Sequence, residues 1–217
     1  DSSLLEGNPI HEDMTEACAM LEPDFLLNTV FTPDGAVSEI VAGHWYEAWE
    51  KGCQDLLKMA GVKIKELADV VIASAGGYPK DLNLYQSIKC HMNATFAVKK
   101  GGIMIFTLDC EDIKEPAIFT DCFSRSNLEQ FEKDIREAFT VPAFVAFKGR
   151  NILSDVTAYL VTRPENFDFV KRTGHIPCAT LEEAWSLAQA KLAKQGKHDY
   201  TITIMGHGSA TLPLLEQ

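Results

Sequence analysis

The sequence contains no CxxC pair, no HxH or HExxH spacing, no GxGxxG turn and no GxxxxGK loop followed by Ser or Thr. A zinc knuckle or dithiol couple, a zincin helix and the common nucleotide-phosphate cradles therefore lack support. Long apolar runs are absent too: stretches such as Val70 to Ala73 and Ile103 to Phe106 fall far short of the roughly 20 residues a membrane-spanning helix needs. Positive charge is scarce, with 20 Lys and Arg against 31 Asp and Glu and a formal net charge of -11. A chain of that balance opposes a polyanion, so DNA and RNA are discounted as partners. There is no internal repeat, no low-complexity tract and no initiating Met; a start at Asp1 is the mark expected of a chain processed or cut from something longer. The acidic amino end, Asp1 through Glu6, does not have the character of a secretory signal. The cysteines at 18, 53, 90, 110, 122 and 178 are widely spread and are expected to be free thiols, which implies a reducing cytoplasm.

What is present describes an ordered α/β chain. Hydrophobic residues make up 46% of the 217 and charged residues 24%, the range of globular domains. Ile10, Met14, Cys18 and Leu21 recur at helical spacing after Pro9, and Trp45 to Met59 repeats that pattern. Between them, Phe25 to Phe31 and Ala36 to Ala42 read as strands joined by the turn Thr32 to Gly35. From Asp69 onward strand and helix alternate: strands over 69–73, 102–108, 156–161 and 200–205, helices over 84–98, 128–139, 164–173 and 181–194. Thr180 and Glu183 form a capping box before the last helix. Pro142 to Phe147 is open between strand and helix. The rhythm predicts an α/β fold, with a layered, mainly parallel or mixed sheet and helices on both faces, plus an N-terminal helix-hairpin-helix segment over residues 1–60.

The most informative stretch runs from Ser74 to Lys89, directly after a buried strand and into a helix. Ligands of parallel sheets gather at the carboxyl ends of strands. Gly76 and Gly77 permit positive φ and close backbone approach, and the following helix points its positive end at the same spot. Tyr85, Gln86 and Lys89 share one side of its first turns and offer a phenol, an amide and a cation, a set suited to a small hydroxy-carboxylate. The competing reading is a plain glycine connector followed by a solvated lysine.

The run Gly76-Gly77-Tyr78-Pro79-Lys80-Asp81-Leu82-Asn83-Leu84-Tyr85-Gln86, with Lys89 beyond it, resembles the C-terminal signature of the nickel-dependent lactate racemase family. Gly7 to Ile10, Phe25 to Val30 and the ending Ile204 to Ser209 through Pro213 are similar to other parts of that family. The resemblance implies a 2-hydroxyacid racemase or epimerase whose nickel-pincer nucleotide accepts a hydride from the α-carbon and returns it to either face. It places Tyr85, Gln86 and Lys89, with Gly76 and Gly77, at the substrate and cofactor pocket, Lys89 being a polar contact and not the cofactor-bearing lysine. It also implies that residues 61–217 are the C-terminal domain and that 1–60 lead to an N-terminal catalytic domain. That domain would hold the metal, the acid-base histidines and the cofactor, so this chain is expected to carry no catalytic residue, no metal ligand and no cofactor of its own. A homo-oligomer is compatible with this reading.

Other residues have competing readings. Among the six histidines, His207 follows a strand end between Gly206 and Gly208 but reads more simply as a turn, and His91 is either a local variation beside Lys89 or of no consequence. Cys90 reads as a small core residue, and Trp45, Tyr46 and Trp49 as core aromatics before a partner-domain face. Against the enzyme stand a freestanding small-anion-binding module with no catalysis and an ordinary dehydrogenase, the latter opposed by the lack of a dinucleotide fingerprint.

Overall fold

The computed structural model describes residues 4–32, 34–124 and 127–216, so Asp1 to Ser3 of the acidic amino end and Pro33 of the predicted turn lie outside the described residues. The chain divides into two compact units, Asp1–Val62 and Lys63–Gln217.

In the first unit, helix α1 (Pro9–Leu21) opens on Asn8, whose side chain accepts from the Ile10 amide, with Pro9 in the first turn where its missing N–H is harmless. Strands β1 (Leu26–Phe31) and β2 (Val37–Gly43) pair antiparallel, Leu26 opposite Gly43. Helix α2 (Trp45–Ala60) follows. Trp45, Tyr46 and Trp49 are half-buried instead of forming a core; with His11, Met14 and Phe25 they line a cavity of about 250 Å³, and His11 stacks on Trp49 at 4.8 Å. Ile10, Met14, Leu21, Phe25, Leu27 and Ile40 are all exposed.

The second unit is built on a five-stranded sheet in the order β7-β6-β5-β4-β8. Its strands are β4 (Ala68–Ser74), β5 (Val98–Thr107), β6 (Thr157–Val161), β7 (Ile176–Cys178) and β8 (Ile202–Met205). All neighbours pair in parallel. The Val-Val-Ile run of β4 is apolar without alternation, as a strand covered on both faces must be. One face carries helices α3 (Leu84–Ala94), α5 (Leu128–Glu137), α6 (Val141–Ser154) and α7 (Phe167–Thr173), with the short turn α4 (Ala117–Thr120); Met104, Phe106 and Leu160 pack there with Phe119, Phe131 and Phe169. On the other face, Val70, Ile103, Ile105 and Tyr159 meet Ala184, Ala188 and Leu192 of α8 (Leu181–Lys194). Steps β4 to β7 march in one direction; α8 then crosses to the opposite face and returns the chain to β8, beside β4. That reversal sets the carboxyl ends of β4 and β8 side by side at a switch point, the place where ligands of open parallel sheets gather. Separately, β3 (Gly61–Ile64) and β9 (Leu212–Leu215) form a two-stranded sheet.

Several boundaries differ from the sequence pattern. The helix predicted to reach Val98 stops at Ala94, because the Ala97 carbonyl accepts the Ala68 amide and Val98 pairs with Ala68 in the sheet. The ambiguous 142–147 segment is inside α6, capped by the Thr140 side chain with Pro142 in its first turn. The strand predicted from Tyr200 starts at Ile202. The capping box forms in a variant: Thr180 Oγ1 accepts from the Glu183 amide, and the Glu183 carboxylate accepts from the Ala179 amide. At the amino edge of the sheet, buried Asp69 bonds Lys99 at 2.7 Å and Lys197 at 2.6 Å and also accepts from the Thr201 amide, joining the starts of β4, β5 and β8. These partners hold its carboxyl well below the usual carboxylate range.

Candidate substrate-binding site

Past Ser74 the backbone turns through Gly76 at φ 102° and Gly77 at φ 78°, angles that L side chains resist. The Gly77 carbonyl accepts the amides of Lys80 and Asp81. Residues 81 and 82 are then tied to the segment after β5: the Cys110 amide donates to the Asp81 carbonyl at 2.9 Å and that of Asp112 to Leu82 at 3.0 Å. Asn83 ends the loop as a helix cap, its Oδ1 accepting the Gln86 amide at 2.9 Å. Helix α3 buries Leu84, Ser87, Ile88, Cys90 and His91. Tyr85 is half-buried against Phe119, ring centroids 5.4 Å apart, whereas Gln86 and Lys89 are exposed.

The structure brings a second segment to this loop. A Cβ added to Gly76 would stand 2.9 Å from His207 Nδ1, so the imidazole covers the bare face of that glycine. The Gly208 amide donates to the Ser74 carbonyl at 2.7 Å, and the Gly208 carbonyl accepts from Asn93 Nδ2 at 2.8 Å. Sequence reasoning set His207 aside as a turn; its place one step beyond a strand between two glycines was the available signal. A further pair at the same sheet edge carried no such signal. Asp109 and Arg163, 54 positions apart in the chain, form two parallel bonds of 2.7 Å at the ends of β5 and β6. Thr162 and Asn166 brace this corner by bonding the carbonyls of Asp109 and Cys110. Arg163 holds the Asp109 carboxyl below its ordinary range.

His91 lies in the interior beneath the helix and away from the exposed surface of Lys89, stacked on Phe106 at 3.8 Å. Its Nε2 is 2.9 Å from His175 Nε2. The Ser87 carbonyl, 3.0 Å from His91 Nδ1, can only accept, so that nitrogen carries the proton and His175 Nε2–H donates to His91 Nε2. His175 Nδ1 is left to accept from the Thr173 hydroxyl, which also faces the Val170 carbonyl and has one proton for both. Burial drives both imidazoles toward the neutral form, His91 to about 4. Burial pushes the Cys90 thiol up to about 12, which suits the core role read from sequence and not a nucleophile. None of the six cysteines is joined in a disulfide among the described residues. Among the described residues no group of three His, Cys, Asp or Glu side chains converges as a metal site, and no helix is long and apolar enough to cross a membrane.

The site can therefore offer a half-buried phenol and an exposed amide and ammonium to a small anion. Residues 63–212 match the family model described as lactate racemase C-terminal domain. The chain is 31% identical over 201 residues to a lactate racemase of Thermoanaerobacterium thermosaccharolyticum, covering 90% of this chain and 47% of that protein. A lactate racemase of Lactiplantibacillus plantarum is 32% identical over 108 residues, 50% of this chain and 25% of that protein. Among solved structures, the lactate racemase apoprotein from T. thermosaccharolyticum superposes with a TM-score of 0.86 at 29% identity, covering 97% of this chain and 51% of that one. A Thermotoga maritima protein shares the fold, with a TM-score of 0.64 at 15% identity over 96% of this chain and 54% of that one. The chain thus spans about half the length of the T. thermosaccharolyticum relative, or less in the case of the L. plantarum protein.

Proposed function

This chain belongs to the lactate racemase family through its C-terminal domain, and on that premise we propose that it is one part of a 2-hydroxyacid racemase or epimerase, supplying polar contacts to substrate and cofactor. The observation that carries this reading is the glycine turn and first turns of α3, with Tyr85, Gln86 and Lys89, standing at the carboxyl ends of parallel strands. In this account the Lys89 ammonium and the Gln86 amide hold the substrate carboxylate and the oxygen on its α-carbon, while Tyr85, fixed against Phe119, limits how the ligand turns. Hydride removal from the α-carbon and return to either face is the chemistry that a nickel-pincer nucleotide would supply. A phenol, an amide and an ammonium do not fit as nickel ligands, so the metal and the acid-base pair are assigned to a further domain. The exposed apolar residues of the first unit, Ile10, Met14, Leu21 and Phe25 among them, are suited to contact with such a domain.

The test is chiral analysis of lactate and other 2-hydroxy acids incubated with the full-length protein and, in parallel, with this chain and added cofactor. The expected result is D/L interconversion by the full-length protein alone. Tight lactate binding without turnover by the full-length protein would favour an anion-binding module; racemisation or a full equivalent of nickel on this chain by itself would overturn the division of labour.

A further inference from the structure

We propose that His207 is a substrate-binding residue of this same site, its imidazole donating a hydrogen bond to the carboxylate of the 2-hydroxy acid beside Gln86 and Lys89. The inference rests on the racemase reading above. Ala73 of β4 pairs with Met205 of β8, so the segments leaving the two strands run out side by side at the point where the sheet reverses its order. There the imidazole fills the space that Gly76 leaves empty, 2.9 Å from where a Cβ would stand, with the Lys80 side chain at 3.7 Å from the same point. The backbone beneath it is fixed from two sides, by the Gly208 amide on the Ser74 carbonyl and by Asn93 on the Gly208 carbonyl. Gly208 itself has no room for a side chain, since a Cβ would approach Cys90 Sγ to 2.6 Å and the Ser74 carbonyl to 3.0 Å.

These contacts also orient the helix. Cys90 and Asn93 mark the flank of α3 that faces residues 206–208. Gln86 lies four residues before Cys90 and Lys89 four before Asn93, so both sit on that flank one turn, about 5.4 Å, nearer the helix start. The helix starts at the carboxyl edge of the sheet, where His207 is. His207 is exposed, and no hydrogen bond within the described residues engages its ring. An amide, an ammonium and an unengaged imidazole therefore gather at the start of α3 beside the carboxyl ends of β4 and β8, which gives a carboxylate donors from two elements instead of one.

In the full-length enzyme, His207→Ala is expected to raise KM for lactate about tenfold, the loss of one hydrogen bond to a charged group, with a smaller change in kcat. His207→Gln keeps a donor and recovers part of that loss. His198→Gln, an exposed histidine at the opposite edge of the sheet, leaves KM unchanged. If His207→Ala does not fold, NMR of the wild-type protein decides: the imidazole signals that vanish in His207→Gln must shift as lactate is added. A KM within twofold of wild type, a Gln variant no better than Ala, or unmoved imidazole signals would overturn the assignment. Wild-type protein that fails to racemise any 2-hydroxy acid refutes the racemase reading; normal wild-type turnover with an unaltered His207→Ala variant refutes only the role of His207.

Discussion

The two buried histidines set a pH dependence that belongs to individual residues. Burial lowers both pKa values, so the folded state keeps His91 neutral down to about 4 while the unfolded chain takes up protons near 6.5. The unfolded state thus binds more protons over that interval, and stability present above about pH 6.5 is lost as the pH falls through it. Urea unfolding at pH 7 and pH 5 should differ by up to about 2 kcal/mol from His91, with His175 acting in the same direction. Asp69 works in the same direction but in a lower window, since its depressed carboxyl stabilises the fold above the ordinary value of 3.8 and loses that effect only in stronger acid. Equal stability at pH 7 and 5 would show that the pair takes up protons in the fold as readily as in the unfolded chain. None of this was legible in the sequence: His175 is 84 positions from His91, and nothing local tells a buried imidazole from one beside a pocket.

At the scale of the element, the loop after β4 is expected to act through its backbone angles. Nothing stands within 4 Å of a Cβ placed on Gly77, so Gly77→Val tests conformation and not fit. A β-branched residue at φ 78° costs about 1 to 2 kcal/mol, and the strain should open the turn. Activity of the full-length enzyme is expected to fall sharply while its Tm drops by a few degrees; wild-type activity would show that the turn needs no left-handed residue. Legibility followed element length. Helix α8 was read to its ends from its cap and period, and β4 nearly so from its apolar run. The short strands β3, β7 and β9 were not seen, because so few residues carry no periodicity, whereas the four residues of β8 were read within a longer run from Tyr200. The overrun of α3 into residues 95–98 came from sheet pairing that local propensity does not register.

For the whole molecule, the alternation of strand and helix was sufficient for the parallel sheet and its two helical faces. The order of strands was not legible, and with it went the neighbourhood of β4 and β8 and the pairing of Asp109 with Arg163, since both depend on where the chain reverses. The Gly76 to Lys89 run was legible as a unit because its residues are consecutive, whereas Gly76 and His207 meet only through the fold. The central claim is that this domain contributes substrate contacts to a racemase through Lys89, and the most direct measurement is the racemisation rate of the full-length enzyme carrying Lys89→Ala. Removal of one stabilising donor predicts a turnover lower by roughly 100-fold to 1,000-fold with the fold intact; a rate equal to wild type would contradict the account.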